Sequence, residues 1–156
     1  MVKPPPVLMD ARVLEYAVLD ETVTYSGHSS LFIDGAELGP VPCLAICQGL
    51  DEPDSFLLHC HSNWDVLGIA SYSSPQESKR RAERIYPGVS HCWVDAGVSE
   101  QEALAYREEV SSALQCGFCG KGPDQARQVI EKNGSRICSD CIEEIYNALQ
   151  ESKHQP

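Results

Sequence analysis

The chain has 156 residues, a formal net charge of −11 and eight cysteines. Such acidity repels phosphate backbones and excludes general nucleic-acid binding by counterion release. No apolar run approaches the ~20 residues of a membrane span, and the length accommodates one domain of about 100 residues plus a small second module.

The opening Met1-Val-Lys-Pro-Pro-Pro-Val-Leu-Met places prolines where the apolar helix of a secretory signal would stand, so a reduced, cytoplasmic setting is expected. Lys3–Pro6 reads as an extended lead-in. Strand patterns follow at Glu15–Val18, Thr22–Tyr25 and Ser30–Ile33, the last closed by an Asp34-Gly35 turn. Val41–Cys47, Ser55–His61 and Val66–Tyr72 continue the sheet. Ser74-Pro75-Gln76-Glu77 carries the signature of a capped helix start, and Pro87-Gly88 stops that helix near Tyr86. Val89–Val94 predicts a last strand. Ser99-Glu-Gln-Glu102 opens a second helix running toward Gln115, with Ala103, Tyr106, Val110 and Leu114 as an apolar stripe facing the core or a partner. No Gly/Ser-rich linker follows, so a semi-rigid junction is expected. The fold class is α+β: an antiparallel-sheet domain with two helices over residues 1–113, a compact module over 114–150, and a disordered tail at 151–156.

Several side chains in the first domain could carry chemistry. On a strand, Cys43 and Cys47 would sit about 13 Å apart, whereas sulfurs sharing one zinc lie under about 4 Å apart, so both read as core thiols. His59 and His61 alternate past Cys60 and would share one sheet face; with His91 they could build a three-imidazole metal site, but no closed ligand set is visible and solvent-facing histidines at a strand end are the simpler reading. His91 and Cys92 are sequence neighbours and would point to opposite faces of a strand, which disfavours a Cys–His dyad. Trp64, Trp93, Tyr72 and Tyr86 read as core aromatics. Lys79-Arg80-Arg81 and Arg84 read as one basic helix face, solvated or bound to an anion.

The chemistry concentrates at the end of the chain. Cys116-Gly-Phe-Cys119 and Cys138-Ser-Asp-Cys141 stand 18 residues apart, inside the window for a structural zinc site. Two residues between paired cysteines allow a tight turn that aims both sulfurs at one ion, and the second pair closes the tetrahedron. A redox pair would need no second pair, and disulfides would need an oxidising compartment. A module this small needs its metal to fold. One structural Zn2+ on Cys116, Cys119, Cys138 and Cys141 is therefore expected.

The same stretch, with Cys116-Gly-Phe-Cys119-Gly-Lys and Arg136-Ile-Cys-Ser-Asp-Cys141-Ile-Glu-Glu-Ile-Tyr, resembles the N-terminal zinc-binding domain of ClpX, the unfoldase partner of ClpP. The resemblance covers residues 114–150 and none of the first 110. It implies a treble-clef-like module that binds zinc, dimerises and docks substrates or adaptors, without hydrolysing ATP. No GxxxxGK[ST] loop is present, so an unfoldase motor is excluded. Asn63-Trp-Asp-Val-Leu-Gly68, Arg81-Ala-Glu-Arg-Ile-Tyr-Pro-Gly88 and Trp93 resemble a small bacterial domain that implies no activity.

The expected function is that of a non-enzymatic interaction protein, an adaptor or regulator whose partner is another protein or a second copy of itself, with no nucleic acid and no membrane. Two alternatives stand beside it. Residues 1–115 carry 17 Asp/Glu against 7 Lys/Arg, which suits an immunity or antitoxin-like protein neutralising a basic toxin. A metal-dependent hydrolase would use His59, His61 and His91.

Overall fold

The structure, a computed structural model, describes residues 3–29, 31–33, 35–123 and 125–152. The chain forms two compact units, Met1–Tyr106 and Arg107–Pro156, and the division falls inside a helix.

The first unit carries β1 (Val7–Leu8), β2 (Ala11–Val18), β3 (Phe32–Ile33), β4 (Ala36–Glu37), β5 (Cys43–Gly49), β6 (Ser55–Cys60), β7 (Val66–Tyr72), α1 (Pro75–Ile85), a 3-10 turn at Val89–His91, β8 (Trp93–Asp95) and the start of α2 (Glu100–Ala113). The main sheet is antiparallel in the order β1-β2-β5-β6-β7, with β8 sharing the outer edge of β2 with β1. β3 and β4 form a separate short hairpin. Of the predicted Ser30–Ile33 strand, Phe32–Ile33 is observed; Ser30 and Asp34 lie outside the described residues.

The central strands are buried on both faces, which is why Cys43–Cys47 reads as an unbroken apolar run. Cys43, Ala45 and Cys47 pack on one face with Leu58, Cys60 and Trp64. Leu44 and Ile46 pack on the other with Leu57, Ala82, Ile85 and Tyr86, beneath α1. β2 begins at Ala11, earlier than its sequence pattern suggests. Its register against β5 shifts between Val13 and Glu15, so Ala11, Val13, Tyr16 and Val18 share one cluster while Ala17 joins the other. A bulge of this kind breaks the period-2 alternation that reveals a strand.

The Ser74 hydroxyl caps α1 by accepting from the Glu77 N–H at 3.2 Å, and Glu77 reaches back to the Ser73 hydroxyl. The helix ends at Tyr86, before Pro87 and a left-handed Gly88 at φ 95°. Two sequence expectations fail at this end of the domain. Thr22–Tyr25 is not a strand: Thr24 and Ser26 donate their N–H groups to Pro87 O and Ile85 O, satisfying carbonyls at the end of α1 instead of joining the sheet. Val89–Val94 is half 3-10 turn, and only Trp93–Asp95 pairs with β2. The basic run does not make one face either. Lys79 pairs with Glu15 on β2 at 2.6 Å, whereas Arg81 lies over the Tyr72 ring on β7. Residues 79 to 81 fan out around a helix, and α1 crosses between the two strands.

Ser99 and Glu102 form the expected reciprocal capping box at the start of α2. Ala103 is buried, but Val110 and Leu114 are exposed, so the predicted stripe does not continue as core.

The second unit contains β9 (Val129–Lys132), β10 (Ser135–Cys138) and α3 (Ser139–Ser152). Asn133 and Gly134 both adopt positive φ (53° and 76°), the requirement of a type I′ hairpin turn, and β9 pairs with β10 around them. Residues 151 and 152 belong to α3, so the predicted disordered tail is helical at its start; residues 153–156 lie outside the described part of the chain. Among the described residues no helix is long and apolar enough to cross a membrane.

Candidate metal centre

Three short pieces of backbone bring the four C-terminal cysteines together. The turn at Cys116–Cys119 supplies the first pair; Cys138 is the last residue of β10 and Cys141 lies in the first turn of α3. The β9–β10 hairpin returns the chain toward the first knuckle, where the Gly117 N–H donates to Arg136 O at 2.9 Å. The sulfurs of Cys119 and Cys138 lie 3.5 Å apart and those of Cys116 and Cys141 3.9 Å, and all four fall within 4.8 Å of one another. Tetrahedral Zn–S bonds of about 2.3 Å require sulfur separations of about 3.8 Å. The side chains therefore already surround a volume of the right size.

The electrostatics suit a thiolate cluster. Burial pushes the Cys116 thiol up, but the N–H groups of Cys119, Phe118 and Cys138 outweigh it and bring the thiol down to about 6. The hydrogen bond to Cys119 and burial drive the Cys141 thiol well above its ordinary range, because crowded sulfurs cannot all be anionic without a cation. A divalent ion reverses that order and takes all four as thiolates. Four soft sulfur donors within 4.8 Å of one another suit zinc, not the oxygen-seeking calcium or magnesium. Lys121 pairs with Asp140 at 2.7 Å beside the cluster.

In the first unit, Cys43, Cys47 and Cys60 are fully buried among core side chains, and burial pushes the Cys60 thiol up to about 12. Cys47→Ala is accordingly expected to leave metal content per chain unchanged and to cost packing alone, about 1 kcal/mol for a small buried group. Atomic absorption on the purified variant, beside a urea unfolding curve, checks both.

The three histidines proposed for a hydrolase site do not converge among the described residues. His59 is buried against the Tyr86 ring, with centroids 5.9 Å apart, whereas His61 is exposed beyond the end of β6. The reason is that β6 ends at Cys60, its pairing with β5 regular up to that residue; the chain then turns, with the Trp64 N–H donating to His61 O, so His61 lies outside the strand alternation that would have placed it beside His59. His91 is exposed in the 3-10 turn. That turn also overturns the expectation that His91 and Cys92 point apart: outside a strand, their ligating atoms and that of Asp20 lie within 4.8 Å of one another. Asp20 is absent from the sequence reading, because nothing local in the chain links it to His91.

With this geometry in place, comparison shows that residues 114–151 match the ClpX C4-type zinc finger family. No solved structure matches the chain. Donor set, spacing and family match together support one structural zinc ion on Cys116, Cys119, Cys138 and Cys141.

Proposed function

We propose, from the ClpX C4-type zinc finger at residues 114–151, that this protein is a non-enzymatic interaction protein of the reduced cytoplasm. In this reading its treble-clef-like zinc module pairs with a second copy of the chain, and the dimer acts as an adaptor or regulator presenting the acidic first unit to a protein partner. The observation that carries the dimer is the face of α3. Ile142, Ile145, Tyr146 and Leu149 recur at helical spacing and are all exposed, Tyr146 at 59% and Leu149 at 57%. A stripe at i, i+3, i+4 and i+7 is the pattern by which one helix packs on another. Phe118, at 68%, adds an exposed aromatic ring from the first knuckle. Zinc in this reading is structural: it holds the base of α3, through Cys138 and Cys141, against the Cys116–Cys119 turn.

The test is mass in solution by light scattering at micromolar concentration. The wild-type chain is expected to run as a dimer and Ile145→Glu as a monomer with unchanged zinc content. A charge placed in a helix–helix seam is costly, whereas on a free surface it is nearly neutral. A wild-type chain that stays monomeric at high concentration would defeat the self-association and leave the module as a docking surface for another protein.

A further inference from the structure

A second cluster of ligand-type side chains lies in the first unit, beside the end of α1. We propose that Asp20, His91 and Cys92 form a second metal site, for a divalent transition ion of the zinc class, with one position left open to water or an incoming ligand. The carboxylate, imidazole and thiol atoms lie within 4.8 Å of one another. One oxygen, one nitrogen and one sulfur make a borderline-soft donor set suited to zinc and poorly suited to calcium or magnesium. Three protein ligands with a vacant fourth position is also how zinc sites that exchange ligands are built, in contrast to the closed four-sulfur site of the second unit.

The scaffold around these residues is specific. The Thr22 hydroxyl donates to Asp20 Oδ1 at 2.5 Å and lies 2.9 Å from Nε2 of His91, so one side chain ties two of the ligands together. Metal-bound imidazoles and carboxylates commonly have such a polar partner, which fixes their orientation. Both arms are anchored. Thr24 and Ser26 bond to the end of α1, and the Glu83 carboxylate accepts from the N–H groups of Gly88 and Ser90 and from the Ser90 hydroxyl. A Cβ added at Gly88 would meet Thr22 O at 3.3 Å, so glycine allows the two segments to approach closely. Asp20 and His91 are exposed and Cys92 half-buried, which gives an ion a path in.

The experiment is a cobalt titration of the full chain, stripped of metal with a chelator and kept reduced. Two equivalents of Co2+ are expected: one with the strong sulfur-to-cobalt absorption of a four-thiolate site, the other with the weaker band of a single sulfur. His91→Ala and Cys92→Ser are expected to keep the first equivalent and lose the second, and Asp20→Asn to weaken the second by about tenfold or more. Cys92→Ser and Asp20→Asn preserve side-chain shape, so with an unchanged urea midpoint their effect is read as loss of a ligand and not of the fold. A single equivalent in the wild-type chain overturns the site, as does a second equivalent retained at wild-type affinity by either His91→Ala or Cys92→Ser.

Discussion

Cys138→Ser is expected to release zinc and unfold the second unit while leaving the first intact. The buried cluster of that unit consists of Cys116, Ala126, Cys138 and Cys141, with Val129 and Ile137 packed partly against it. Three of its four buried members are the proposed ligands themselves, so very little apolar surface is left to hold the fold without the ion. Zinc binding in small fingers supplies about 10–16 kcal/mol of apparent free energy at neutral pH, more than the whole net stability of many domains. Cys138 is fully buried, ends β10 and receives the Cys141 N–H on its sulfur at 3.5 Å. A serine hydroxyl there is a poor zinc ligand and loses the thiolate charge. Zinc content by atomic absorption should fall by one equivalent, and limited proteolysis should cut within residues 107–152 while the first unit survives. A variant that kept both its zinc and its protease resistance would sink the four-cysteine assignment.

The second large effect concerns acid. His59 is fully buried, and neither ring nitrogen has a hydrogen-bond partner among the described residues. Burial disfavours the imidazolium and brings its pKa down from 6.5 to about 4. The unfolded chain therefore binds a proton between those two values that the folded chain refuses, and stability falls as pH drops from about 6.5 toward 4. At 1.36 kcal/mol per pKa unit, the loss across that window is about 3 kcal/mol. Above pH 6.5 the contribution is constant, because both states hold the ring neutral. Both tryptophans, Trp64 and Trp93, lie in the first unit, so their fluorescence in urea reports its unfolding free of the zinc module. His59→Leu should abolish this slope and raise stability at pH 7 by about 1–2 kcal/mol, because it removes two unsatisfied polar atoms from the core. The difference between wild type and variant isolates His59 from the carboxylates. Identical pH dependence in the two proteins would show that the ring is solvated or partnered in solution.

The parts of the fold legible in the chain are those governed by short-range chemistry. The cap at Ser74, the stop at Pro87-Gly88 and the capping box at Ser99–Glu102 each depend on residues within one turn of each other, and each is present. β5 and β6 are legible as apolar runs because a strand in the middle of a sheet, buried on both faces, needs no alternation. β2 is legible only in its second half, since the shift at Val13/Glu15 moves Tyr16 and Val18 onto the face already used by Ala11 and Val13. Thr22–Tyr25 has strand-like composition, yet its N–H groups serve the end of α1, a choice made by packing and not by propensity.

The candidate sites divide along the same line. The four-cysteine centre is determined by the sequence itself, because two residues between paired thiols fix each half locally and the ion supplies the long-range closure. The histidines are different, since alternation places side chains on one face only within a strand, and β6 ends at Cys60, between the two, at a position composition does not mark. Only the tertiary structure decided that His59 is buried beside Tyr86, that His61 is exposed, and that His91 turns with Cys92 toward Asp20. The meeting with Asp20 requires the segment after β2 to pair with the end of α1. That pairing joins residues distant in the chain through backbone hydrogen bonds, which any sequence can make and which therefore leave no signature in one.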